Sequence, residues 1–279
     1  MLLLRQMGPN SRNWLSFGLI FLLATAGCAV DSAFRRFNQA ERLFTQGRYA
    51  ASAVEFGRVL SKDPPADLAA KARYRLAEVQ TLFLGKHAEA VENYKQFIQL
   101  APDSQGAWVA QKEIGEILFS RLEDFTKSIE HDSVIVNLTK DTKERAEITF
   151  RLGRANFLLK RFGNAEKFYR EAMQLDPKGE WRPRALFEVG MSQYTRETKS
   201  AAGFERALST FRHFMAEYPG HEKAIEAEFM VGCCLEELQQ IGPAISIFQK
   251  IEDRYPVPGA VKIRRLRLEG RKHSTPKEQ

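Results

Sequence analysis

Three cysteines and five histidines are the side chains here best suited to bind a metal, exchange disulfides or act as nucleophiles. Cys233 and Cys234 are adjacent, directly after Gly232. Paired thiols in an oxidising compartment suggest redox exchange, but a bond between chain neighbours is strained. Cysteine also serves as a small packing group, and packing is the reading adopted. His87, His131, His213, His221 and His273 have no second histidine or cysteine at metal-ligand spacing. No HExxH, GxSxG or phosphate-loop pattern occurs. Acidic residues are abundant but scattered, as on solvated helix faces. The expectation is therefore no catalytic residue, no metal, no cofactor and no small-molecule substrate. Cys28 is different: it follows an apolar run and three small residues, and it is the one cysteine in the first 230 residues.

What positions side chains in this chain is a repeat. Leu152-Gly153, Phe162, Ala165, Tyr169, Ala172 and Pro177 describe two helices that touch at small residues and stop at a proline. The first small residue recurs as Ala40, Ala77, Gly115, Gly153, Gly190 and Gly232, in steps of 37, 38, 38, 37 and 42. The second recurs as Ser52, Ala90, Ser128, Ala165, Ala207 and Ala244. Four residues further on stand Phe56, Tyr94, Asp132, Tyr169, Phe211 and Phe248. Closing prolines are Pro64, Pro102, Pro177, Pro219 and Pro256, with none in the third unit. The pattern resembles the tetratricopeptide repeat (TPR), a helical hairpin that needs copies of itself to bury its apolar face. The fold class expected is all-α: a right-handed α-solenoid of about six TPR-like hairpins with a C-terminal capping helix. The period exceeds the usual ~34 residues, so helices or turns must be slightly long.

The third hairpin, 107–142, departs from this pattern through Asp132 and the missing proline. Asp132 is read as turned to solvent in a drifted repeat; an opening filled by a partner is the alternative. The turn from Thr195 to Gly203 is about five residues longer than its counterparts. It is read as a tolerated insertion, with a contact site as the alternative. Pro102-Asp103-Ser104 stops one helix and offers an N-cap to the next.

The formal charge of +7 is concentrated at the two ends of the chain. Residues 1–27 carry Arg5 and Arg12 and no acid, while residues 259–279 hold seven Lys or Arg against two Glu. Residues 28–258 are neutral, which argues against a nucleic-acid surface. In 259–270, Val261, Ile263, Leu266 and Leu268 are interleaved with Lys262, Arg264, Arg265 and Arg267. This segment is read as a basic capping helix before a disordered tail; a membrane-surface or acidic-partner patch is the alternative.

Residues 14–24 are too short an apolar run to span a bilayer permanently. With Thr25-Ala26-Gly27 and Cys28 they resemble a bacterial lipoprotein signal, although Thr25 stands where leucine is usual. The resemblance implies a signal peptide at 1–27, acylation of Cys28, and an anchor that holds the chain at the membrane. Ala29 then implies the outer membrane, facing the periplasm.

In TPR arrays the first helices line an inner groove. By that resemblance the groove takes residues three and two before each small residue, and one and four after it. Three before are Phe37, Tyr74, Lys112, Phe150, Phe187 and Phe229. The groove residues singled out are Phe150, Arg151, Arg154, Phe157, Phe187, Met191 and Tyr194, with the arginines available to acidic groups. Packing between hairpins is the competing reading for the rings.

Tyr94-x-x-Phe97 before Ala101-Pro102, Phe211-x-x-Phe214 before Tyr218-Pro219, and Phe248 before Tyr255-Pro256 resemble an envelope group. That group includes the BamD family of the β-barrel assembly machine and the Tol–Pal coordinators. The count of six hairpins also resembles type IV pilus pilotins. The resemblance implies a non-enzymatic adaptor in outer-membrane protein assembly, binding envelope proteins or peptide segments. A pilotin or a regulator of a cell-wall enzyme are the alternatives.

Overall fold

The computed structural model describes residues 31–196 and 200–274, the side chains of 273 and 274 excepted. The leader, Cys28, the middle of the 195–203 insertion and the tail beyond residue 274 lie outside the described residues. Among the described residues there are thirteen helices and no strand. They form two compact units, one ending at Glu123 and the other beginning at Asp124.

The first unit holds α1 (31–45), α2 (Tyr49–Leu60), α3 (Ala66–Val79), α4 (His87–Leu100) and α5 (Gln105–Glu116). The second holds α6 (Phe125–Ile135), α7 (Thr142–Leu158), α8 (Phe162–Leu175), α9 (Trp181–Thr195), α10 (Ala201–Glu217), α11 (Ala224–Glu237), α12 (Ile241–Ile251) and α13 (Pro258–Ser274). The division falls inside the third hairpin of the sequence register, between α5 and α6.

The hairpins close as their sequences direct. A left-handed residue stands two places before α2, α4, α6, α8 and α12: Gly47, Gly85, Glu123, Lys160 and Gln239, all with φ between 51° and 72°. Ser104 caps α5 by accepting from the Ala107 N–H at 3.1 Å. Before Pro102, Pro177 and Pro219 the chain leaves the helical region, with φ near −141°, −127° and −131° at Ala101, Asp176 and Tyr218. The proline ring forbids αR to the residue ahead of it, which ends α4, α8 and α10.

Part of the long period lies within helices. Ala77 and Ala90 are 13 apart, as are Gly115 and Ser128, against 12 for Gly153 and Ala165. The additional residue is taken up by π-helical turns at Gln80–Leu84 and Ile117–Arg121, which extend α3 and α5.

Small residues meet rings where the register requires. A Cβ on Gly153 would lie 2.7 Å from the Tyr169 ring, one on Gly190 2.7 Å from Phe211, and one on Gly232 2.7 Å from Phe248. The aromatics three before the small residues complete the contact. Phe37 packs on Phe56, Tyr74 on Tyr94 and Phe97, Phe150 on Tyr169, Phe187 on Phe211 and Phe214, and Phe229 on Phe248. These rings bind the first, second, fourth, fifth and sixth hairpins together.

The third hairpin corrects an expectation. Asp132 is fully buried rather than turned to solvent. It accepts two bonds from Arg151, Nε at 2.6 Å and Nη2 at 2.9 Å. A planar bidentate pair between α6 and α7 thus occupies the position that an aromatic fills elsewhere.

The α13 helix supplies the expected cap. Val261 and Leu268 are buried in the core of the second unit. Its arginines meet acids: Arg264 and Arg267 reach Glu236, both at 2.5 Å, and Arg265 reaches Glu252 and Glu269, both at 2.7 Å. Much of the basic charge is therefore neutralised within the fold.

Candidate peptide-binding surfaces

The first unit contains a cavity of about 300 Å³ lined by Phe37, Lys71, Tyr74, Arg75, Phe97 and Gly106. Phe37 and Tyr74 come from first helices, so their rings serve both hairpin packing and the cavity wall. Arg75 is held by Glu41 at 2.7 Å and Glu78 at 2.6 Å, with its guanidinium 4.4 Å from the Phe44 ring. A cavity of this size and lining accepts an apolar or aromatic side chain.

In the second unit the expected groove residues separate into two groups. Phe150 and Phe187 are buried in hairpin packing; Phe150 also meets Trp181 at 5.2 Å. Arg151 is only 7% exposed and is bonded to Asp132, so it does not present itself to acidic partners as expected. The reason is that Asp132 needs a cation more than an open groove does. Arg154 is exposed, and Phe157, Met191 and Tyr194 are partly exposed. Phe157 packs on Phe162, and Tyr194 on Phe204. The surface that remains is a row of Arg154, Phe157, Met191 and Tyr194 from α7 and α9.

Glu188 is the residue that the selection missed, although it stands two before Gly190, in a register the groove rule includes. Burial holds its carboxyl above the ordinary range; Arg154 and Lys223 pull it back, and Glu226 pushes it up. It thus links α7, α9 and the start of α11 electrostatically. The folded protein holds this proton more tightly than the unfolded chain does. Its contribution to stability is full below the unfolded value near 4.5 and is lost as pH rises through the higher folded value. Glu188→Gln is therefore expected to raise the melting temperature at pH 7 and to flatten its pH dependence between pH 4 and 7, read by circular dichroism. Unchanged melting at both ends of that range would remove the strain assigned to this carboxylate.

Cys233 and Cys234 are buried free thiols, and burial pushes both up to about 12. They pack in the core with Phe248 and Leu235, as a small-residue role requires. Neither is expected to react with a thiol reagent at pH 7.5 until the protein is denatured; rapid labelling of the native protein would contradict this. Among the described residues no group of three His, Cys, Asp or Glu side chains is placed to hold a metal.

Two profiles of the tetratricopeptide repeat match the chain, one over residues 71–104 and 226–256, the other over 146–178. These segments are the second, sixth and fourth hairpins. No curated protein matches the sequence. The fold is similar to the C-terminal part of a TPR repeat-containing protein from Cytophaga hutchinsonii, with TM-score 0.57, 16% identity and 78% of each chain covered. It is also similar to a tetratricopeptide repeat protein from Parabacteroides merdae, with TM-score 0.56 and 12% identity over 87% of this chain and 88% of that one. PilW, described as a widely conserved type IV pilus biogenesis factor, aligns with TM-score 0.50 and 16% identity over 80% of this chain and 94% of PilW. The class defined by fold and register is the helical-repeat protein. More particularly, three of its hairpins match models of the tetratricopeptide repeat, over residues 71–104, 146–178 and 226–256.

Proposed function

We propose that the protein is a non-enzymatic adaptor, anchored through acylated Cys28 at the periplasmic face of the outer membrane, that holds protein segments during envelope assembly. The observation that carries this reading is the pair of aromatic and mixed-charge surfaces on first helices, the Phe37–Tyr74 cavity and the Arg154–Tyr194 row. Apolar rings beside charged groups suit extended peptides, where aromatic and arginine contacts supply much of the energy. The leader and Cys28 support the anchor, and Ala29 supports the outer membrane.

The test has two parts. Mass spectrometry of the mature N-terminus is expected to show an acylated Cys28; an intact leader would remove the anchor. Affinity purification from detergent-solubilised membranes is expected to recover components of β-barrel assembly. A second reading, a pilotin-like role in pilus assembly, is favoured by the similarity to PilW. Recovery of a secretin alone would decide for it. Altered peptidoglycan with normal outer-membrane proteins in a deletion strain would point instead to regulation of a cell-wall enzyme.

A further inference from the structure

The turns that close the first two hairpins carry apolar side chains that the fold leaves uncovered. Leu82 is 66% and Phe83 41% exposed, both on the π-helical turn that ends α3. Phe83 stacks on Tyr49 at 3.6 Å, and Phe44 meets these two rings edge-on at 5.7 and 5.6 Å. The three rings form a platform across the ends of α1 and α3 and the start of α2. Cations flank it. Arg42 lies on α1, Arg48 is the N-cap of α2 and Lys86 the N-cap of α4, and all three are exposed. Among the described residues none of the three side chains takes part in an ion pair or hydrogen bond. The acids next to them in the chain leave an excess of positive charge. Glu41 and Glu78 hold Arg75, and only Glu89, exposed on the first turn of α4, offsets a cation. The third turn of this unit adds Arg121 and Glu123, one of each sign.

We propose that this edge is a contact for an anionic membrane surface. Leucine and aromatic rings beside unpaired arginine and lysine suit the boundary between headgroups and acyl chains, where apolar groups insert and cations meet phosphate. Each cation close to anionic lipid contributes about fivefold in affinity. A side chain as exposed as Leu82 stands on a projecting turn and offers a protein partner no pocket to fill, whereas lipid needs none. The reach to the bilayer rests on the anchor proposed above. Cys28 stands three residues ahead of α1, whose fifteen residues rise about 22 Å. With α1 along the surface, the patch at its far end meets the bilayer that holds Cys28. Phe34, 43% exposed near the tethered end, lies on the arc of α1 between Arg42 and Phe44.

The test is sedimentation with vesicles, using residues 28–279 with Cys28→Ser, so that no acyl chain takes part and every described residue is kept. Binding to mixed phosphatidylglycerol and phosphatidylcholine vesicles is expected, weakened by salt and lost with phosphatidylcholine alone. Arg48→Glu/Lys86→Glu is expected to lose at least about tenfold. Lys160→Glu/Arg161→Glu makes the same change of charge at the turn of the fourth hairpin and is expected to lose less than about threefold. Leu82→Ser leaves the charge alone and is expected to lose about fivefold. These side chains are exposed, so the circular dichroism of each variant should match the parent. Equal losses in the two charge variants, or parental binding by Leu82→Ser, would overturn the proposal by reducing it to general attraction. So would saturable binding of a fluorescent polyglutamate peptide that Arg48→Glu/Lys86→Glu abolishes while vesicles stay unbound, which would assign the edge to an acidic protein. An acylated Cys28 found by mass spectrometry, with no sedimentation, would leave the anchor standing and remove this contact. Sedimentation as expected with an unacylated Cys28 would support the contact and remove the anchor.

Discussion

Asp132→Ala is expected to lower the unfolding free energy by about 3–5 kcal/mol, the scale for breaking a buried ion pair by removing one partner. The reason is what remains behind. Arg151, 7% exposed, keeps its charge and loses the carboxylate that accepts both its Nε and Nη2 hydrogens. The cavity left by a small acid adds less than the loss of this bidentate partner from a buried cation. Replacing both partners, Asp132→Leu with Arg151→Met, is expected to be neutral or to stabilise by up to about 4 kcal/mol, because two desolvated charges leave together. Urea denaturation followed by circular dichroism measures both, with amide exchange in α7 showing where the loss is felt. A single substitution costing under about 1 kcal/mol would mean the pair is solvated in solution.

Tyr169→Ala is the second large effect, expected at about 3–5 kcal/mol for a buried ring in the fourth hairpin. Its partner Gly153 makes the test specific. Gly153→Ala alone places a methyl 2.7 Å from two carbons of that ring. Overpacking of this kind costs about 1–3 kcal/mol. It outweighs the gain of at most about 1 kcal/mol in helix propensity. With Tyr169→Ala present the obstruction is gone, and the same Gly153→Ala change should stabilise by up to about 1 kcal/mol. The sign of one substitution thus reverses with its partner, which a double-mutant cycle on the denaturation midpoints reads directly. Additive effects would break the contact inferred between glycine and ring.

The glycine and ring positions were legible in sequence because they recur at fixed spacing and are set by local geometry. Gly153 with Tyr169, Gly190 with Phe211 and Gly232 with Phe248 meet as the register required. The aromatics three before the small residues were legible as a class, but Phe150 and Phe187 pack chiefly on rings of their own hairpins, Tyr169, Phe211 and Phe214, and only Phe150 also reaches the next hairpin, at Trp181. Asp132 was misread because a single repeat position carries no sign of its partner. Arg151 lies 19 residues on, in the next first helix, and the same register assigned it to a groove. The groove rule reached Glu188 by position but not by chemistry, since its environment is assembled from Arg154, Lys223 and Glu226 on other helices. The acids that neutralise α13, Glu236 and Glu252, were likewise invisible to periodicity.

The π-helical turns at Gln80–Leu84 and Ile117–Arg121 bear on how such arrays lengthen over evolution. Each swallows a single inserted residue inside a helix, and each is followed by the same left-handed closure, at Gly85 and at Glu123. Relatedness between these two hairpins and shorter ones is therefore traced correctly only with a gap set within the helix, not in the turn where insertions are conventionally sought.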